Sequence, residues 1–320
     1  MASNEAITGP SRAVMAAVDQ ELEGVHRYPD PLAGGLRRTL AAVHDVDPDQ
    51  ILVGNGSDEI VYLLALAFVG HGGRVLCASP AYRIDEVSAA VVGAEVVTVP
   101  LASWRHDLTA MASVTADVAF VVNPHNPSGT LCSLAEITRF VETSQAGLVA
   151  IDEAYIDFTD SPEETTAVPL ARRGDAVVLR TFSKAFGLAG VRVGYMIGSH
   201  EVVETLRKVR APFSVSSLAQ AAALAALSDS AHYEDLRSET RRRREDLVRL
   251  LEAHDLEAIP SQANFVLVRC DGEEEDLVAQ LARYGVSVRP GSSLGVPGTV
   301  RITVPSLSGL GLLAEALSSR

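Results

Sequence analysis

Short apolar runs alternate with amphipathic stretches over the first two hundred residues. The apolar runs predict strands at 51–53, 74–78, 95–99, 118–122, 148–151 and 176–179. Between them, helical patterns cover 59–69, 87–92 and the stretch from the predicted cap Ser133 to Thr143, with Glu136 in the capping-box position. Short apolar strands that alternate with helices are typical of βαβ units. We therefore predict an α/β fold, with a mainly parallel sheet and helices on both of its faces.

The pattern is interrupted at 210–217, where Pro212 and several polar residues predict a joint between domains. Beyond it we predict a long helix from Leu218 to about Ala253, followed by strands at 264–269, 286–289 and 300–304. The predicted organisation is therefore an N-terminal segment (1–27), a large domain (28–212) and a smaller α/β C-terminal domain (213–320).

Composition and charge exclude several classes of protein. Of the 320 residues, 47% are apolar and 21% are charged, which is a normal globular balance. The formal net charge of −14 would repel a phosphate backbone, so we expect no nucleic-acid partner. We interpret the basic run 241–244 as a solvated helix face. The longest apolar run, 60–69, is shorter than the roughly 20 residues that span a bilayer, so we expect no membrane span.

The cysteines and the N-terminus indicate the cellular compartment of the protein. The three widely spaced cysteines favour a reduced enzyme over a disulfide or zinc framework, and we expect no metal site; they are Cys77, Cys132 and Cys270. The first ten residues show no secretory pattern. We therefore predict a cytoplasmic protein.

Candidate chemistry lies just beyond predicted strands, where open α/β sheets bind their ligands. The turn 54–59 opens a helix, and backbone N–H groups at a helix start can hold a phosphate. An ordinary turn with Ser57 or Asp58 as helix cap remains an alternative. In the loop 123–129, two X-Pro steps would present Asn126 as a rigid amide, although a plain proline-rich turn fits that segment as well.

The segment Asp152–Tyr155 directly follows an apolar strand. A carboxylate at that depth needs a partner, because burial of an isolated charge is costly. Tyr155 follows within reach of the same ligand, and helix capping by Asp152 is the alternative interpretation.

The loop after the sixth strand is decisive. The chain has only two lysines: Lys184 lies in this small-residue loop, whereas Lys208 lies in a helical pattern typical of a surface. Arg192 follows Lys184 by eight positions, and Thr181 and Ser183 supply hydroxyls nearby. An amine, a guanidinium and hydroxyls suit a cofactor that carries an aldehyde and a phosphate. Pyridoxal phosphate is that cofactor, since it requires a lysine for a Schiff base, a carboxylate for its ring nitrogen and a phosphate cup.

With these motifs in this order, the chain resembles the fold-type-I aminotransferases, and within them the histidinol-phosphate aminotransferase family. The resemblance covers nearly the whole chain, and its markers are 27–30, 56–59, 123–129, 152–155, 181–195, 264–265 and 300–304. It implies the aspartate-aminotransferase-like architecture: a large domain whose parallel sheet is sandwiched by helices, and a smaller α/β domain.

The resemblance also implies a role for each matching residue. Lys184 would form the Schiff base and later move the proton, and Asp152 would pair with the ring nitrogen and make the ring an electron sink. The ring's phenolic oxygen would bond to Tyr155 and Asn126, while Tyr82 would stack on the ring. The phosphate would be held by Ser57 and Asp58 through their backbone amides, by Thr181, Ser183 and Arg192, and by Tyr28 of a partner subunit, which implies a homodimer.

Substrate recognition is where the chain departs from the family. The resemblance implies that Arg301, Arg289 and Asn126 bind the substrate, the arginines at its carboxylate or phosphate. Family members usually carry an N-terminal arm before the segment that appears here as 2–5, and Asp85 stands where an aromatic residue is common. If Asp85 faces the pocket, its charge opposes a phosphate. We therefore expect histidinol phosphate to be a poorer donor than an amino acid with a free carboxylate and a polar or cationic side chain.

The predicted function is a pyridoxal-phosphate-dependent aminotransferase of amino-acid biosynthesis. It would move an amino group between an amino acid or amino-phosphate and a 2-oxo acid. The alternatives that stay open on the same fold are a decarboxylase, lyase or oxidase of specialised metabolism, a shortened chain with little activity, and a non-catalytic ligand-sensing module.

Overall fold

A seven-stranded sheet forms the centre of the larger part of the chain. The computed structural model describes residues 1–270 and 272–319. The strands are β1 (Ile51–Gly54), β2 (Arg74–Ser79), β3 (Glu95–Pro100), β4 (Ala116–Val122), β5 (Ala146–Asp152), β6 (Val177–Thr181) and β7 (Gly194–Ile197). They lie in the order β1-β7-β6-β5-β4-β2-β3; β7 is antiparallel to both of its neighbours, and the other pairs are parallel. The predicted α/β fold with a mainly parallel sheet is confirmed.

Helices cover both faces of this sheet. They are α1 (Arg12–Glu21), α2 (Gly34–His44), α3 (Gly56–Phe68), α4 (Arg83–Val91), α5 (Leu108–Ala112), α6 (Leu134–Thr143), α7 (Pro162–Thr165), α8 (Val168–Arg173), α9 (His200–Val209) and α10 (Ser217–Ser228). One face packs against α1, α2, α6 and α10, and the other against α3, α4 and α9, so the strands other than the partly exposed edge strand β3 are buried on both sides. The predicted capping box at the start of α6 is present, because Ser133 and Glu136 bond each other's backbone N–H groups.

A second, smaller sheet lies near the C-terminus. Its antiparallel strands, in the order β8-β10-β9, are β8 (Phe265–Arg269), β9 (Arg289–Pro290) and β10 (Thr299–Thr303). Around it lie α11 (Ser230–Glu252), α12 (Glu274–Arg283) and α13 (Leu307–Ser318). The predicted strand 286–289 is wrong in extent, because β9 begins only at Arg289. Val286 and Val288 are buried in the hydrophobic core beside the small sheet (the small core) but do not pair with a strand.

The predicted single helix from 218 to 253 is in fact two helices. Asp229 separates α10 from α11, and its side chain accepts a hydrogen bond from His232 N. This cap favours a new helix start at the site of the break. α10 packs into the core of the large sheet, whereas Leu247 and Leu251 of α11 lie in the small core. The domain boundary at residue 213 stays a prediction, and the packing of α10 favours a boundary further along, within α11.

The first residues of the chain run beside the small sheet. Met1 O accepts a hydrogen bond from Thr303 N at 2.9 Å, and Met1 and Ile7 pack against the small core. The segment then continues into α1, whose Val14 is buried in the large core. The N-terminal segment therefore joins both parts of the fold.

The interpretation of the basic run 241–244 as a solvated face is wrong for Arg244. This arginine is only 7% exposed and donates to the backbone oxygens of Phe158 and Ala263. It fastens α11 to the large domain. In the described part of the chain, no helix combines the length and the apolar character needed to cross a bilayer.

Candidate active site

A cavity of about 210 Å³ opens where β4, β5 and β6 end. Parallel strands bring their carboxyl ends to one edge of the sheet, and loops far apart in sequence meet there. Ten of the eleven residues predicted to bind the cofactor line this cavity: Ser57, Asp58, Tyr82, Asn126, Asp152, Tyr155, Thr181, Ser183, Lys184 and Arg192.

Arg192 and two hydroxyls form a cationic, hydrogen-bonding end of the cavity. Arg192 Nη1 donates to Ser183 Oγ at 3.3 Å, and the hydroxyls of Thr181 and Ser183 lie 3.0 Å apart. Nη2 of Arg192 donates to Asp58 Oδ2 at 3.3 Å. The guanidinium and the hydroxyls together suit a phosphate monoester.

The start of α3 faces the same end of the cavity. The residue before the helix is Asn55, which makes no side-chain capping bond, whereas Ser57 and Asp58 lie inside the first turn. The alternative interpretation of Ser57 or Asp58 as the helix cap is therefore wrong. Gly56 has a φ of +79°, and a Cβ there would lie 2.6 Å from Arg192 Nη2. Glycine therefore leaves open a cradle that joins the helix N-terminus to Arg192, an arrangement that suits an anion.

Asp152 lies at the floor of the cavity, at the end of β5. It is 3% exposed, and its Oδ1 accepts a hydrogen bond from Ala154 N at 2.9 Å. Burial is the main cause that raises the pKa of Asp152, whose net value is about 7; the hydrogen bond from Ala154 N and the charge of Lys184 lower it, whereas Asp58 and Glu153 raise it. A buried carboxyl with this pKa is suited to a cationic N–H partner, whose charge would stabilise the ionised form.

Lys184 and Tyr155 lie together above this floor. Lys184 Nζ is 5.6 Å from the centroid of the Tyr155 ring and donates to Asn4 O at 3.1 Å. The Tyr155 hydroxyl accepts from Asn126 Nδ2 at 3.4 Å and from Asn4 Nδ2 at 3.1 Å. The other lysine, Lys208, is exposed in the last turn of α9.

A second cavity, of about 790 Å³, adjoins the first and is lined by Arg289 and Arg301. The two arginines are opposite each other in the register of β9 and β10. Arg301 is 5% exposed; its Nη1 donates to Asn126 Oδ1 at 2.5 Å and its Nη2 to Ala2 O at 3.0 Å. Among the described residues, nothing accepts a hydrogen bond from its buried Nε. The structure thus brings together the three predicted substrate residues, Arg289, Arg301 and Asn126.

Asp85 does not face this pocket. It is 2% exposed and lies on the inner side of α4, where burial raises its pKa well above the ordinary value. The acidic side chain on the pocket wall is Glu86, which is exposed there. The condition under which Asp85 would oppose a phosphate is therefore not met.

Tyr28 is the one predicted cofactor residue outside both cavities. Its side chain is 81% exposed and stacks on Phe213, with 4.6 Å between the ring centroids. In its own chain Tyr28 does not line the cavity that contains Arg192.

Sequence reasoning missed several contacts of the site. Asn4 touches both Tyr155 and Lys184, Asn264 Nδ2 donates to Asn4 O at 3.1 Å, and Thr303 holds the Asn4 side chain. The resemblance markers 264–265 and 300–304 contained Asn264 and Thr303 without a role. The segment 2–5 has no predicted role, because the resemblance marks it only as the point where the family's arm ends.

Comparison with known proteins shows the family of this chain. The aminotransferase class I and II family matches residues 1–317. The chain is 39% identical over 311 residues to a histidinol-phosphate aminotransferase of Geobacillus sp. (strain WCH70), covering 96% of this chain and 85% of that protein. The chain belongs to the aminotransferase class I and II family.

Solved structures of similar proteins share the whole fold. One is the histidinol-phosphate aminotransferase of Sinorhizobium meliloti in complex with pyridoxal-5'-phosphate, at 28% identity and a TM-score of 0.89, covering 99% of this chain and 90% of that one. Another is the L-threonine-O-3-phosphate decarboxylase of Porphyromonas gingivalis, at 26% identity and a TM-score of 0.88, covering 99% and 98%. The chain is a pyridoxal-phosphate-dependent aminotransferase, and the alternative of another reaction on the same fold is not favoured.

Proposed function

We propose that this aminotransferase takes the amino group from a phosphorylated amino alcohol, namely histidinol phosphate, and passes it to a 2-oxo acid. The observation that carries the proposal is the buried Nε of Arg301, which has no acceptor among the described residues and lies beside Arg289 in the second cavity. A buried guanidinium with an unused donor suits an anionic group that arrives with the substrate. The curated relative in Geobacillus bears the name of this activity.

The residues of the first cavity fit pyridoxal phosphate. Arg192, Thr181, Ser183 and the first turn of α3 would hold its phosphate in the cradle that Gly56 leaves open. Asp152 would keep a proton on the ring nitrogen, because burial makes that carboxyl favour a cationic neighbour. When bound, the cofactor supplies an aldehyde that condenses with amines and a ring that accepts electrons from the substrate carbon.

Lys184 would hold the cofactor and, once released by the donor amine, move the proton at the substrate carbon. Its Nζ is held by Asn4 O, on the side of Tyr155. Tyr155 and Asn126 would bond the phenolic oxygen. Tyr82 would cover the ring, and its hydroxyl is fixed by Asp58 Oδ1 at 3.0 Å.

The second cavity would select the donor at two ends. Arg301 and Arg289 would bind the phosphate, while Glu86 on α4 offers a carboxylate to the N–H of an imidazole. Because Asp85 is buried on the other side of α4, its carboxylate does not oppose a phosphate in the second cavity.

The experiment is a donor screen read by the absorbance change of the bound cofactor, with histidinol phosphate, histidinol and amino acids compared at equal concentration. We expect histidinol phosphate to give the highest kcat/KM. Arg301→Ala should raise the KM for histidinol phosphate by about 10- to 100-fold, because charge-assisted hydrogen bonds contribute roughly 1.5–3 kcal/mol each. The KM for histidinol, which has no phosphate, should stay nearly unchanged, whereas kcat should fall for both donors because Arg301 also orients Asn126.

Arg269→Ala is the matched control, since Arg269 lies on β8 of the same small sheet and pairs with Glu257 outside both cavities. The opposite donor order, which the sequence predicted from Asp85, would contradict the proposal: an amino acid with a free carboxylate would then exceed histidinol phosphate.

We also propose that two chains form a homodimer. Tyr28 and Phe213 stack on each other while both remain exposed, and Val25 and Leu32 are exposed in the same part of the chain. Such a patch suits a protein interface, and a second chain there would receive Tyr28 at its phosphate site. A cytoplasmic location is supported by the buried, free thiols of Cys77 and Cys132.

A further inference from the structure

Asn4 is buried where the N-terminal segment meets β10 and the cofactor cavity. It is 1% exposed and has a φ of 54°, in the left-handed region that asparagine tolerates better than most other residues. Its polar atoms contact Tyr155, Lys184, Asn264 and Thr303. A residue outside the predicted site thus touches two of the side chains proposed to act on the cofactor.

Thr303 fixes the orientation of the Asn4 amide. Thr303 Oγ1 accepts from Asn4 N at 3.0 Å, so its own proton is free to be donated to Asn4 Oδ1 at 3.1 Å. Since Oδ1 is the acceptor in that bond, the other end of the amide, Nδ2, faces the Tyr155 hydroxyl at 3.1 Å and must be the donor there.

A second amide reaches the same hydroxyl in the same way. Arg301 Nη1 donates to Asn126 Oδ1, so Asn126 presents Nδ2 to the Tyr155 oxygen. The Tyr155 oxygen therefore accepts from two N–H groups and can give its own proton to neither. That proton is left for a third partner in the cavity.

We infer that Asn4 is a positioning residue, which together with Asn126 aims and polarises the Tyr155 hydroxyl toward the phenolic oxygen of pyridoxal phosphate. The inference rests on the proposed role of Tyr155. Donors onto a hydroxyl oxygen make its O–H a stronger donor. A stronger donor stabilises negative charge on the phenolic oxygen, so the lysine-linked cofactor loses its proton at a lower pH.

The test is Asn4→Gly in the cofactor-loaded protein without any donor. Glycine adopts a positive φ freely and keeps the backbone oxygen that Lys184 uses, so the substitution removes only the amide. We expect the midpoint of the cofactor's absorbance change with pH to rise by roughly half to one unit, the equivalent of one net hydrogen bond. The charged and titratable groups that line the two cavities beside Tyr155 are retained in the variant; they are Glu5, Asp58, Tyr82, Arg83, Glu86, Asp152, Lys184, Arg192, Arg289 and Arg301.

The variant Tyr155→Phe distinguishes an effect of Asn4 through the Tyr155 hydroxyl from an unspecific disturbance of the site. Because Asn4 acts through the hydroxyl, Asn4→Gly should shift the midpoint no further once Tyr155 is phenylalanine. An equal shift in both backgrounds, or no shift in the native background, would overturn the inference.

Asp45→Gly is the matched control, because Asp45 is also a left-handed residue, with a φ of 52°, at the exposed end of α2. It should leave the midpoint unchanged. The measurement needs no amino donor, so a failure of histidinol phosphate in the donor screen would leave this result standing, and the reverse also holds.

Discussion

Asp152→Asn should stabilise the cofactor-free protein at alkaline pH and at the same time remove most of its activity. Burial raises the pKa of Asp152 from 3.8 to about 7, a change of roughly three units. At about 1.4 kcal/mol per unit, the folded protein at pH 8 carries a penalty of roughly 4 kcal/mol for the ionised carboxyl. Asparagine carries no charge and keeps an oxygen for the hydrogen bond from Ala154 N.

The sign of the pH dependence follows from the raised pKa. The protonated carboxyl contributes its full stability below the ordinary pKa, and this contribution is lost as the pH rises through about 7. The free energy of unfolding of Asp152→Asn, relative to that of the native protein, should therefore be about 2–3 kcal/mol higher at pH 8 than at pH 5.

Urea unfolding of both cofactor-free proteins at the two pH values measures this difference. Groups that do not interact with Asp152 are common to both proteins and cancel in the comparison. Asp85 does interact with it, because the charge of Asp152 helps to raise the pKa of Asp85, so the loss of that charge adds to the gain from asparagine. With the cofactor bound, kcat of the variant should fall by orders of magnitude, because an amide cannot hold the ring nitrogen protonated. Equal stability differences at pH 5 and pH 8 would refute the buried-charge argument, and near-native turnover would refute the assignment of the electron sink.

Two further predictions concern cofactor attachment and assembly. Lys184→Ala should abolish the covalent, borohydride-trapped cofactor mass seen by mass spectrometry, whereas Lys208→Ala, at the exposed end of α9, should retain it; a trapped mass in the first variant would place the attachment elsewhere. Phe213→Ser should weaken the dimer measured by light scattering, because Phe213 supports the exposed Tyr28 ring; a native protein that is fully active as a monomer would contradict the proposed exchange of Tyr28.

The meeting of ten cofactor-site candidates at one cavity could be predicted because each of them belongs to a local motif. Asp152 and Lys184 follow short apolar runs, and parallel strands bring such ends together whatever the loops in between do. The same reasoning failed at β9, where Val286 and Val288 alternate like a strand but are buried without pairing. Burial alone produces that pattern, so periodicity could not separate the two cases.

The prediction for the second cavity was wrong about Asp85 because it depended on where helix α4 begins. Sequence placed the helical pattern at 87–92, but α4 begins at Arg83, which brings Asp85 into its first turn. Asp85 then falls on the face that also buries Ser88 and Ala89, whereas Glu86 follows Tyr82 by one turn along the pocket wall. A shift of four residues at a helix start thus decided which carboxylate lies on the wall of the second cavity.

β10 explains why Asn4 could not be recognised from its own neighbours in sequence. Arg301 and Thr303 are two residues apart and face the same side of the strand, while Val300 and Ile302 are anchored in the small core on the other side. Arg301 lines the second cavity and orients Asn126, whereas Thr303 orients Asn4. The side-chain amides of Asn126 and Asn4 both donate to the Tyr155 hydroxyl. If these residues act as proposed, one strand of the small domain supports both the binding of the donor and the orientation of the Tyr155 hydroxyl, so a displacement of β10 would alter both together.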